Sequence, residues 1–134
     1  MIIWRLHLSS PPDAVYPLLA TDEGRARFWA ERAEERGGEI DFRFPDGSGW
    51  RGRVLANDPP RSFALEYLGA RVEFELADDG EGGTDVTLVD QSDHPETRAG
   101  WVSVLLALKA AADHGVDLRN HDRRRTWEHG FVDN

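Results

Sequence analysis

The apolar positions change period three times along the chain, and each change predicts a different kind of element. "IIWRLHL" alternates, with Ile2, Trp4, Leu6 and Leu8 on one side and Ile3, Arg5 and His7 on the other. That is the pattern of a half-buried strand. "SSPPDAVYPLLA" takes helical spacing at Ala14, Val15, Leu18 and Leu19. Ser10 is the expected N-cap, Pro11 or Pro12 suits the first turn, and Asp13 complements the helix dipole. Pro17 should shorten or kink this helix, because it removes a backbone donor. "TDEGRARFWAERAEE" then restarts a second helix, with Thr21 as its cap and Phe28 and Trp29 ending its apolar face.

After Gly37 and Gly38 the period falls to two. Ile40, Phe42 and Phe44 share a face; so do Trp50, Gly52 and Val54; so do Phe63, Leu65 and Tyr67. Val72, Phe74 and Leu76 follow, then Val86, Leu88 and Asp90. "PDGSG", "NDPPR", Gly69 and "DDGEGG" supply the turns. Five consecutive strands with short connections read as an antiparallel meander, wet on one face and covered on the other. The cover is a helix within residues 96–115, where Trp101, Val104, Leu105, Leu108, Ala111 and Ala112 form one stripe, widened by Val102 and Leu106. About 16 helical residues span roughly 24 Å, comparable to the width of such a sheet. Gly115 ends the helix. The predicted class is α+β: a curved six-stranded antiparallel sheet, two short helices, and one long C-terminal helix over the concave face.

Composition narrows the function classes. A chain of 134 residues fits one domain, 1–134, and supports a core without metal or disulfide staples. It has no Cys, hence neither a disulfide framework nor a thiolate site. The opening apolar run is broken by Arg5 and His7, too early for a signal peptide, and no run reaches membrane-spanning length. A cytoplasmic location and no membrane partner are the expectations. The net charge is −9, and no basic stripe suited to nucleic acid is present. The cluster from Arg119 to Arg125 is broken by His121 and Asp122 and reads as a self-paired loop.

Chemistry-bearing motifs are sparse. His114, His121 and His129 lie among carboxylates, but no two share the spacing of a metal site on one element, so no metal and no cofactor are expected. Ser103 and Thr97 lack any motif that would place a base beside them, and "DDGEGGTD" would repel phosphate. No catalytic residue is assigned. The tail from 116 to 134 has little periodicity. Trp127, Phe131 and Val132 are its apolar anchors and should fold it back on the domain. Arg119, Asn120 and His121 would then satisfy carbonyls at the end of the long helix. A homodimer contact anchored by Trp127 is the alternative.

"SPPDAVYPLLATDEGRARFW", "FPDG" and "AGWVSVLLALKAAADHGVDLRNHD…RTWEHGFVDN" resemble bacterial proteins grouped with the activator of heat-shock-protein ATPase. These belong to the START-like superfamily of the helix-grip fold, which includes the birch pollen allergen and polyketide cyclases. The resemblance covers nearly the whole chain. It implies a cavity between sheet and long helix that accepts an apolar ligand, and for some members a chaperone partner.

The residues themselves point to the same place. The covered face is rich in rings, which are hard to interdigitate on a bent sheet without gaps. Either they fill the core or they line a pocket; the resemblance favours the pocket. Its expected lining is Phe42, Phe44, Trp50, Phe63, Tyr67, Phe74, Trp101, Leu105 and Leu108, with Gly52 leaving room beside Trp50. Asp90, on an apolar register, and Arg98, before the helix face, are the candidate polar groups at the rim. The expected partner is a small hydrophobic ligand, held by a carrier or sensor. A protein-interaction module is the alternative, and a cyclase-like enzyme would need an acid–base pair in the pocket.

Overall fold

The expected alternation is present from the first strand. In the computed structural model, which describes residues 1–134, β1 (Ile2–Leu8) buries Ile2 and Leu8 and exposes Ile3, Arg5 and His7. Two short helices follow, α1 (Pro12–Ala20) and α2 (Asp22–Ala26). Then come β2 (Arg32–Arg36), β3 (Glu39–Arg43), β4 (Gly49–Asp58), β5 (Ser62–Tyr67), β6 (Ala70–Asp78) and β7 (Thr84–Asp90). The long helix α3 (Pro95–His114) comes last, before a tail whose one regular piece is a 3₁₀ turn at Trp127–His129. All strands join one antiparallel sheet in the order β1-β7-β6-β5-β4-β3-β2.

The sheet therefore has seven strands, not six. Residues 32–36, expected as the end of the second helix, form the edge strand β2. Glu and Arg favour helix locally, but pairing and one buried cation override that preference. Arg25 is fully buried and donates to the carbonyls of Leu19 and Ala33, each at 3.0 Å. It also pairs with Asp22, whose carboxylate accepts from the Glu35 amide at 2.9 Å. These bonds fix the end of α1, α2 and β2 together and turn Ala33 inward.

Capping differs from expectation at one place. Thr21 caps α2 as its sequence suggests, accepting from the Gly24 amide at 3.0 Å. Ser10 does not cap α1; Pro11 occupies that position. The Ser10 hydroxyl instead donates to the Ala112 carbonyl and to Asp113, each at 2.8 Å, and the Ser9 amide donates to the same carboxylate at 3.0 Å. This ties the start of α1 to the end of α3. It also compensates an acid that the helix dipole disfavours.

α3 begins with Pro95 in its first turn and ends at Gly115, which takes φ 64° and closes the helix with amide bonds to Ala110 and Ala111. Trp101, Leu105, Leu108 and Ala111 are buried as the stripe predicts, together with Ala107 and Ala110. Val102 and Leu106, expected to widen the stripe, are exposed. Alanines let the helix sit close to its neighbours, so a narrower stripe is enough to cover it. Beneath lie Phe42, Phe63, Leu65, Val72, Phe74 and Leu88, each with no exposed surface. Burial on that scale contributes roughly 1.5–3 kcal/mol per large side chain. No helix is long and apolar enough to cross a membrane.

Candidate functional site

An open cleft of about 620 Å³ lies between the first half of α3, the tail, and the sheet edge around Phe44, Trp50 and Tyr67. That is within the usual range for small-molecule sites, roughly 300–1,000 Å³. At its back stand Trp29, Tyr67 and Trp101, with ring centroids 5.2–5.8 Å apart. The Trp29 indole donates to the Tyr67 hydroxyl at 3.3 Å. Burial pushes the Tyr67 phenol well above its ordinary range, against the opposite pull of the Trp29 and Trp50 N–H groups. The Trp50 N–H nonetheless has no hydrogen bond of proper geometry and is itself buried. Phe44 and Trp50 continue the ring wall outward, 4.4 Å apart.

The expected pocket residues divide into two groups. Phe44, Trp50, Tyr67 and Trp101 line the cleft. Phe42, Phe63, Phe74, Leu105 and Leu108 do not; they are buried in the core behind it. Alternation places all of these side chains on the covered face, but only those toward one end of it meet open space. Gly52 opens no room. A Cβ there would lie 2.1 Å from the Glu66 carbonyl, so glycine is required by a close approach of the β5 backbone.

Neither expected rim residue is at the rim. Asp90 is buried and accepts from the Trp101 indole at 2.8 Å and from the Ser92 amide at 2.8 Å. It fastens α3 to the end of β7, which explains a carboxylate on an apolar register. Arg98 lies with its guanidinium 4.6 Å from the centre of the Trp4 ring, while its carbonyl accepts from the Trp4 indole at 3.1 Å. Both contacts are on the β1 side of α3.

Several lining residues had no assignment. The sequence pattern puts Trp29 with Phe28 at the end of a helix, whereas the structure places both beyond α2 and against the cleft. Leu68 also lines the cleft and holds φ 53° in the turn between β5 and β6, a conformation that costs a non-glycine residue roughly 1–2 kcal/mol. Gly100 and Val104 face the space from α3.

The tail supplies the remaining wall through Leu118, Trp127 and Val132. Trp127, Phe131 and Val132 are exposed, so the tail is not held down by apolar anchors. Polar contacts hold it instead. The Arg119 guanidinium donates to the carbonyls of Ala30 at 2.8 Å and Ala26 at 2.7 Å, and pairs with Asp117 at 3.0 Å. It thus closes the segment after α2 rather than α3, whose last carbonyls are already taken by Gly115 and Val116. His121 lies between Glu31 at Nδ1 and Asp117 at Nε2. Partial burial acts to raise Asp117, but hydrogen bonds from Arg119 and His121 hold it down to about 2. The hydrogen bond that His121 donates to Glu31 raises the ring above its usual value, partial burial opposing and Asp117 assisting. No three His, Asp or Glu side chains converge as a metal site would require.

No family model matches this chain, and no curated protein matches it. Solved structures do. The Staphylococcus saprophyticus protein SSP2350 is 22% identical with a TM-score of 0.78, covering 88% of this chain and 95% of its own. An Aha1 dimer from Colwellia psychrerythraea is 24% identical with a TM-score of 0.75, covering 85% and 96%. DynU16, a protein of the dynemicin biosynthetic locus, is 16% identical with a TM-score of 0.72, covering 87% of this chain and 48% of its own. At these identities the likeness establishes the fold.

Proposed function

We propose that the cleft binds a small apolar or aromatic molecule, and that the protein acts as a carrier or sensor for it. The observation that carries this reading is the 620 Å³ opening backed by Trp29, Tyr67 and Trp101. Concave space with an aromatic wall is the usual form of a small-molecule site. The groups at the back of the cleft are rings and one phenol, which offer a ligand shape and stacking.

Gly100 allows a direct test. A Cβ added there meets nothing within 4 Å. Gly100→Leu should therefore fill the cleft without disturbing the core. Binding of an environment-sensitive apolar dye is expected to fall at least about ten-fold, with thermal stability retained. Trp50→Ala should weaken the dye as well. Unchanged affinity in both variants would defeat the proposal. Native mass spectrometry of protein from its own host would identify a retained molecule.

A second reading is favoured by a different observation. Val102, Leu106, Leu118, Trp127, Phe131 and Val132 are all exposed, on α3 and the tail. Contiguous exposed apolar surface is the usual mark of a partner site. A second copy of the chain or a chaperone would cover it, in keeping with the likeness to an Aha1 dimer. Val102 does not line the cleft, so sedimentation of wild type against Val102→Glu separates self-association from ligand binding.

A further inference from the structure

The charges around the cleft are one-sided, and this has a consequence for what it binds. Its lining includes Asp46, Glu96, Glu128 and Asp133, all exposed, and a single cation, Arg119. None of the four carboxylates takes part in any ion pair of the chain. The cation is already neutralised. Arg119 is nearly buried, pairs with Asp117, and donates to two backbone carbonyls.

The contacts the acids do make are with neutral donors. Asp46 accepts from the Ser48 amide at 2.8 Å and hydroxyl at 2.6 Å, bonds that hold its carboxyl below the usual range. Asp133 accepts from the Asn120 side chain at 3.0 Å. Such bonds orient a carboxylate and leave its charge in place. Acids without an ion pair occur elsewhere too, Glu81 and Asp85 among them, but the cleft gathers four of them around one neutralised cation. The groove on the outer face of β2, β3 and β4 has four arginines beside three acids.

Behind the acids stand ring faces, and these too favour positive charge. Trp50 and Trp127 line the same opening, and an indole face attracts a cation by its quadrupole. Carboxylate rim and aromatic wall therefore select in the same direction. A fatty acid or other apolar anion would set its carboxylate against four others.

We propose that the ligand of this cleft joins an apolar or aromatic body to a cationic group, which sits among Asp46, Glu96, Glu128 and Asp133. This rests on the cleft being a ligand site. Three probes of one shape test it: 1-naphthylmethylammonium, 1-naphthylmethanol and 1-naphthoate, titrated against tryptophan emission. The cation should bind about ten-fold more tightly than the anion at low salt, with the alcohol between them. The gap should narrow at about 0.5 M salt, where charges are screened beyond a few ångströms. Glu96→Gln combined with Glu128→Gln should shrink the cation-over-anion ratio at least about three-fold. An anion bound as well as the cation overturns the charge selection while the cleft remains a ligand site. Failure of all three probes to bind overturns the ligand reading itself, and this one with it.

Discussion

The two ends of α3 rest on the same sheet and are packed differently. Toward its C-terminus, Leu105, Leu108 and Ala111 meet α1 and the strands with almost no exposed surface. Toward its N-terminus, Gly100, Ser103 and Val104 face the open cleft, and one ring, Trp101, bridges the gap to the sheet. The first end has small residues on the helix opposite branched aliphatics and phenylalanines. The second sets indoles and a phenol on a diverging edge and substitutes a polar-bound tail for a covering element. Close packing is the stable arrangement for an interior. Where it stops, beside the N-terminal half of α3, lies the space that the proposed ligand would occupy.

Substitutions at the two ends should separate stability from binding. Leu108→Ala removes a fully buried side chain and should cost about 2–5 kcal/mol in urea unfolding. Val104→Ala, at the cleft, should cost under about 1 kcal/mol and weaken the dye instead. Equal losses would mean that the cleft is ordinary core.

Trp101 belongs to both ends, and Trp101→Phe tests the link. The ring remains, but Asp90 loses one of its two donors in a buried site, for about 1–3 kcal/mol. Asp90→Asn should also destabilise, because the Ser92 amide and the Trp101 indole reach different carboxylate oxygens and an amide side chain offers an acceptor to only one of them. Chemical denaturation of both variants checks the losses.

The tail should respond to pH through His121. Its ring faces Glu31 on one nitrogen and Asp117 on the other, with Arg119 nearby opposing the charge. Both nitrogens can donate only in the imidazolium form. Because the folded-state value is raised, this stabilisation is fully present below the ordinary imidazole range. It is lost as pH rises through the raised value. The melting temperature of wild type should approach that of His121→Ala across that window. A constant difference would show that the ring acts only as a neutral spacer. The smallest effect expected is at Leu68. Leu68→Asn should relieve its left-handed backbone and gain about 0.5–1 kcal/mol, while loosening the hold on a ligand.

Most strands could be read from the chain because alternation is a local property. Ile40, Phe42, Phe63, Leu65, Phe74 and Leu88 all point inward as their spacing requires. The stop of α3 at Gly115 and the cap at Thr21 were equally legible. β2 was not, because Arg, Glu and Glu carry no strand signal and their conformation is imposed by Arg25 and by pairing with β3. The cleft was half legible. Rings on the covered face can be listed from sequence, but periodicity gives every inward residue the same standing. Only the tertiary structure distinguishes Trp50, at the cleft, from Phe63, in the core.

The sequence by itself determined which strand residues face inward, where α3 stops, and that the chain has no cysteine chemistry. Periodicity and capping act over a few residues, so the order of residues suffices. Only the tertiary structure decided that Asp90 is a fastening rather than a rim group, that Trp29 joins the ring wall, and that the tail closes the cleft through Arg119 and His121. Those contacts join residues far apart in the chain, and their energies exist only once the sheet has brought the partners within hydrogen-bonding distance.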